Sequence, residues 1–139
     1  MAGYSPNPLI KKLGFKSGSA ALLLCVPDSL QEITKFPGFI LIETVLAAGQ
    51  RRFDAVHWFE TSRTRLEGGI GLMAESLKPD AMLWMSWPKK ASKTPTDITE
   101  DVLREVILPL GLVDVKVCAV DEVWSGLKFM WRRELRSAL

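Results

Sequence analysis

The sequence has little of what nucleophilic or metal chemistry usually requires. Its 139 residues include two cysteines, one histidine and one tyrosine. Cys25 and Cys118 lie far apart, each inside an apolar, strand-like run. They read as buried free thiols in a reducing compartment, not as a metal pair or a disulfide framework. One histidine cannot complete a zinc site with two distant cysteines, so no metal is expected. No stretch nears the roughly 20 apolar residues of a membrane helix. The opening Met-Ala-Gly-Tyr-Ser-Pro-Asn-Pro has no apolar core behind a charged start, so no signal peptide is expected and the chain reads as cytoplasmic. An excess of one charge is missing too. Eighteen Lys and Arg against 16 Asp and Glu leave a net +2, too small to argue for nucleic acid or an anionic membrane. Only the end is locally basic, with Lys128, Arg132, Arg133 and Arg136, and such a stretch reads as a solvated terminus. Repeats, linkers and low-complexity segments are absent, so a single domain is expected.

What is present is apolar and well punctuated. Residues 8–13 read as a short helix stopped by Gly14, and residues 20–26, "AALLLCV", as a strand covered on both faces. Asp28 or Ser29 is a candidate cap for a short helix through Lys35. Residues 39–43, "FILIE", read as a second strand, although the run also suits a helix. Residues 53–59, "FDAVHWF", carry the aromatic and branched residues of a third. Leu66, Ile70, Met73 and Leu77 recur at helical spacing over residues 62–77. After "AMLWMSW", another strand, comes the loop "PKKASKTPTD". Asp97 with Glu100 suggests a capping box for a helix carrying Val102, Leu103, Val106, Ile107 and Leu110, which Gly111 ends. Glu100 and Arg104 are spaced to pair on its wet side. "VDVKVCAV" and "LKFMWRR" are the last two strands. Alternating strands and helices predict a mostly parallel sheet. The connection 121–126 is too short for a crossover, so the last strand runs antiparallel.

In such a sheet, ligands bind beyond the carboxyl ends of the strands. The topology delivers Asp28 and Ser29, Glu60 to Arg63, Trp87 to Lys90 with Ser92, and Asp121 with Trp124 and Ser125 to that rim. Trp-Pro ends its strand because proline has no donor for the ladder. Lys89 and Lys90 are then expected to project beside the helix start at Thr61 and Ser62, whose free N–H groups favour anions. With Arg63 they form a candidate site for a phosphate or carboxylate, walled by Trp87 and Trp124 and oriented by Ser92, Asp121 and Ser125. The alternative is that the lysines are solvated and Trp87 packs. Gly69-Ile-Gly71-Leu-Met-Ala74 matches G-x-G-x-x-A, but the glycines fall inside a helix, where close packing explains them better than a dinucleotide does. His57, between Val56 and Trp58, reads as a buried histidine with one satisfied hydrogen bond.

An open α/β sheet closing on an antiparallel strand resembles the S-adenosylmethionine-dependent methyltransferases: a three-layer, Rossmann-like, mostly parallel sheet with a C-terminal antiparallel strand. "KKLGFKSGSAALLLCVPDS" and "LKPDAMLWMSW" are similar to the corresponding stretches of those enzymes. The loop after the first strand, "CVPDS", lacks the glycines that let a backbone approach the cofactor. In that reading Asp28 replaces part of the loop and Glu43 binds ribose hydroxyls. Residues 83–134, with "WPKK", "TD-T" and "GLVDVKVCAVDE-WSGLKF", also resemble a bacterial family known as domain of unknown function 3052. That resemblance implies interest in Trp87, Lys89, Lys90, Ser92, Asp121, Trp124 and Ser125, and no particular activity. The first expectation is therefore a small anionic ligand or a protein partner bound at the rim, without a cofactor; the second is a divergent methyltransferase using S-adenosylmethionine. Nucleic acid is a weaker third. An exposed edge strand at Phe39 leaves monomer and homodimer both open.

Overall fold

The computed structural model describes residues 8–139; the reading that no signal peptide opens the chain concerns residues 1–7 and lies outside them. Helix α1 spans Pro8–Leu13 and stops at Gly14, whose φ of +79° suits glycine. Strand β1, Ser19–Leu24, is followed by α2, Gln31–Thr34, and β2, Phe39–Glu43. Strand β3 is Phe53–Phe59, α3 is Arg63–Ser76 and β4 is Leu77–Pro88. Helix α4, Glu100–Ile107, leads through a 3₁₀ turn to β5, Leu112–Ala119, and β6, Trp124–Trp131.

The six strands form one sheet in the order β2-β1-β3-β4-β6-β5. The first four are mutually parallel, and β6 runs antiparallel to both β4 and β5. Strand β6 begins at Trp124, so residues 120–123 are the connection; its shortness produces that reversal and also slots the last strand between its two predecessors. The crossover from β2 back over β1 to β3 is made by residues 44–52 with no helix. Leu46 of that connection packs against the core.

Each sheet face has its own apolar layer. Leu22, Leu24, Val56, Trp58, Leu83, Met85, Leu127 and Phe129 face Leu66, Ile70 and Met73 of α3 and Leu103 and Ile107 of α4. Ala21, Leu23, Phe59 and Trp84 face Leu13 of α1 and Ile33 of α2. Complete burial of such side chains contributes about 1.5–3 kcal/mol apiece, which explains why β1 is apolar along nearly its whole length. Gly69 packs where an added Cβ would come within 2.9 Å of the Trp58 ring. Close approach of α3 to β3 therefore accounts for this glycine, although Gly71 faces open space.

Local details depart from expectation in several places: Leu77 opens β4 and is not part of α3, and Trp124 to Gly126 belong to β6 and not to the turn before it. Leu30 occupies the start of α2 with no side-chain cap, so neither Asp28 nor Ser29 serves there. Thr99, not Asp97, caps α4, accepting from the Val102 N–H at 3.1 Å. Asp97 instead accepts from the Arg63 N–H at 2.7 Å, because its loop folds back onto α3. Cys25 is exposed, since β1 ends one residue before it. Cys118 is half-exposed, on the outer strand β5, and burial raises its pKa. Both thiols are free. Expected features are also in place: Arg104 pairs with Glu100 at 2.7 Å, and residues 39–43 are a strand. As the outer strand it leaves Ile40, Leu41 and Ile42 exposed.

Candidate functional site

The carboxyl rim divides into two corners. At the β3–β4 corner, Glu60 follows β3 and is only 5% exposed. Its carboxylate accepts from Trp58 Nε1 at 3.2 Å, the Thr61 and Ser62 N–H groups at 2.9 and 3.1 Å, and Arg65 Nε at 3.0 Å. Ser62 Oγ accepts from the Arg65 N–H, and Asp97 takes the Arg63 N–H. The Ser62, Arg63 and Arg65 N–H groups at the start of α3 are thus taken by the protein's own acids and hydroxyls. The Arg63 guanidinium reaches Glu67 at 3.2 Å and Glu105 at 3.1 Å, and those hydrogen bonds raise its pKa.

The loop lysines differ from one another. Lys89 Nζ donates to the Asp121 carbonyl at 2.6 Å and its N–H to the Val123 carbonyl at 2.7 Å, clamping the turn between β5 and β6. Asp121 Oδ1 accepts from the Val123 and Trp124 N–H groups at 2.8 and 2.7 Å, closing the same turn. Ser92 Oγ donates to the Lys89 carbonyl at 2.7 Å and accepts from the Thr94 N–H. Lys90 is exposed, and its ammonium has no partner among the described residues.

Register decides what the aromatics can do. Pro88 pairs with Trp124 and Trp87 with Ser125. Trp87 belongs to the α3–α4 face, whereas Trp124 packs on the opposite face, edge-on to Phe59 at 5.1 Å. One ligand therefore cannot be walled by both. Trp87 and Lys90, with Thr96, Ile98, Thr99 and Glu100, line a cleft of about 330 Å³. Of the eight residues expected at the anion site, Trp87 and Lys90 are brought together. Arg63, Lys89, Ser92 and Asp121 are tied into local structure, Trp124 lies on the other face, and half-buried Ser125 stands in register with Trp87.

The β1–β2 corner is different. Cys25 takes a left-handed φ of +58°, turning the chain sharply at the end of β1. Beyond it, Asp28 and Ser29 are exposed, and the Asp28 carboxylate has no partner among the described residues. Among the described residues the turn is held by a backbone bond, Leu30 N–H to the Pro27 carbonyl at 2.9 Å. Glu43, the last residue of β2, stands level with Leu22. Two residues short of the end of β1, it sits roughly 7 Å below the rim. Its carboxylate is engaged by Arg52, whose guanidinium lies over the Phe53 ring.

One polar pair lies beneath the rim, inside the sheet. His57 Nε2 and Ser86 Oγ are 2.6 Å apart, and Nδ1 has no partner among the described residues. Burial pushes the His57 pKa down to about 3, so the ring is neutral and structural. Among the described residues, no three of His, Cys, Asp and Glu stand close enough to hold a metal ion, and no helix is long and apolar enough to cross a membrane. The basic end is not uniform: Arg136 donates to the Trp131 carbonyl at 2.9 and 3.1 Å, and burial lowers the pKa of mid-strand Lys128.

The fold is shared with known structures. The chain has the fold of S-adenosylmethionine-dependent methyltransferases. One such enzyme from Aquifex aeolicus superposes with a TM-score of 0.66 at 14% identity, covering 93% of this chain and 90% of that one. Burkholderia thailandensis 1,6-didemethyltoxoflavin-N1-methyltransferase, with 1,6-didemethyltoxoflavin and S-adenosylhomocysteine bound, gives 0.63 at 14% identity over 88% of this chain and 74% of its own. Magnesium protoporphyrin IX methyltransferase from Synechocystis, with S-adenosylmethionine bound, gives 0.59 at 12% identity over 89% and 74%. No protein-family model matches the chain, and no curated protein does either. The resemblance of residues 83–134 to the domain of unknown function 3052 family thus rests on the sequence motifs alone.

Proposed function

We propose that this chain is a divergent methyltransferase-type domain that binds S-adenosylmethionine or its demethylated product at the β1–β2 corner. The observation that carries the reading is the strand order, with antiparallel β6 slotted between β4 and β5, in a fold whose relatives hold these two compounds. The corner's chemistry supports it in part. The left-handed φ of Cys25 turns the chain sharply at the end of β1, the position where a Gly-rich loop would lie. Asp28, exposed and without a partner among the described residues, is the acid offered to the ribose hydroxyls in this reading. Glu43, below the rim and engaged by Arg52, is not. The cofactor would supply the electrophilic methyl group; the chain's part is to bind and orient it at the sheet edge.

The test is calorimetric titration with S-adenosylmethionine and S-adenosylhomocysteine. Saturable binding, weakened about tenfold, or 1.4 kcal/mol, by Asp28→Ala, is the expected result. Absence of heat at millimolar cofactor would remove the reading.

A second reading concerns the cleft beside Trp87, because Lys90 is an uncommitted cation at its mouth. It would take a small anion or an acidic segment of a partner protein, with Thr96 and Thr99 offering hydroxyls. Lys90→Ala would abolish such binding while leaving the fold intact; unchanged binding would dismiss it. Two free thiols suit a reducing compartment, the basis for placing the protein in the cytoplasm.

A further inference from the structure

The amino edge of the sheet carries a second cavity, far from the rim. It holds about 420 Å³ between the last turn of α1 and the segment entering β2, lined by Ile10, Lys11, Phe15, Ser17, Phe36, Pro37 and Gly38. Its volume falls within the range of small-molecule sites, and its lining is mostly apolar. The walls are preformed. Phe39 packs against Phe15 at 5.4 Å between ring centroids and meets Phe36 edge-on at 4.9 Å. Gly38 packs closely into this wall, since a Cβ there would come within 2.5 Å of the Phe36 ring and 2.7 Å of Ser17 Oγ.

Polar character is confined to two groups. Lys11 is exposed with no carboxylate partner among the described residues, unlike Lys12, which donates to the Ala119 carbonyl. The Ser17 hydroxyl likewise has no partner there. None of the lining residues is acidic. An aromatic chamber with one ammonium and one hydroxyl at its mouth suits a ligand with a flat apolar body and a single negative charge.

We infer that this cavity is a binding site for a small aromatic carboxylate. The ring lies against Phe15 and Phe36, and the carboxylate meets Lys11 and Ser17. The site is independent of the rim, so failure of either assignment leaves the other standing.

Phenylacetate is the probe, with benzyl alcohol as its uncharged counterpart, followed by amide chemical shifts of the labelled protein. Phenylacetate is expected to move the amides of Ile10, Phe15, Ser17 and Gly38 in a saturable way. Benzyl alcohol should bind at least tenfold more weakly. Lys11→Gln, at an exposed position, should erase that preference while leaving the spectrum elsewhere unchanged. Gly38→Leu, whose side chain collides with Phe36 and Ser17 and displaces that wall, should remove binding of both. No shifts with phenylacetate, shifts centred elsewhere, or equal affinity for the two probes would each overturn the assignment.

Discussion

The two corners of the carboxyl rim have similar polar residues and opposite circumstances. At the β3–β4 corner, Glu60, Arg63, Lys89, Ser92 and Asp121 are bonded to one another's neighbours or to the main chain. At the β1–β2 corner, Asp28 and Ser29 stand on a turn secured, among the described residues, by a backbone bond. Residue type alone does not make a site. A carboxylate that accepts from four donors holds a helix start in place, and one that accepts from none is available to a ligand. A lysine with its ammonium on a carbonyl is a clamp, whereas its neighbour in sequence is a free charge.

That contrast can be broken from the inside. The largest effect is expected from acid. His57 is neutral in the fold, its pKa lowered from 6.5 to about 3 by burial, so its stabilising contribution is complete above pH 6.5. As pH falls from there towards 3, the unfolded chain binds the proton first and stability declines, by a total on the order of 4 kcal/mol. Denaturant melts across that range should show the loss, and His57→Phe should flatten it. Removing Glu60 comes next. Glu60→Ala strands the Trp58 indole N–H and two backbone donors, at a cost of about 3 kcal/mol; Arg65, largely exposed, adds little. Glu43→Ala, breaking a partly exposed pair with Arg52, should cost less than about 1 kcal/mol and leave cofactor affinity unchanged. Smallest is the lysine pair: Lys89→Ala is expected to cost about 1 kcal/mol through the β5–β6 turn, and Lys90→Ala nothing measurable. Equal costs for the two lysines would erase the distinction between clamp and free charge.

Much of the fold was legible because the signals were local. Continuous apolar runs marked β1 and the interior of β4, Leu66-Ile70-Met73 marked the buried stripe of α3, and the short connection after β5 forced an antiparallel last strand. The candidate site was less legible because it depends on partners distant in sequence. Asp97 precedes Glu100 as a capping box should, yet its loop returns to α3, and Thr96 donates to the Thr61 carbonyl at 2.7 Å. Trp87 and Trp124 both lie at the rim, but which face each occupies follows from the β4–β6 register. Cys25 sits in an apolar run, but the strand ends at Leu24. The amino-edge cavity has little signature in the sequence because its residues are mostly ordinary apolar ones brought together by α1 and the entry to β2. The clustering of Phe15, Phe36 and Phe39 was the available signal.

The measurement that bears most directly on the account is the affinity of S-adenosylmethionine for three proteins: the unaltered chain, Asp28→Ala, and Lys89→Ala with Lys90→Ala. Saturable binding to the unaltered chain is expected, about tenfold weaker with Asp28→Ala and unchanged in the double lysine variant. Binding lost with the lysines and indifferent to Asp28 would place the ligand at the other corner and contradict the assignment.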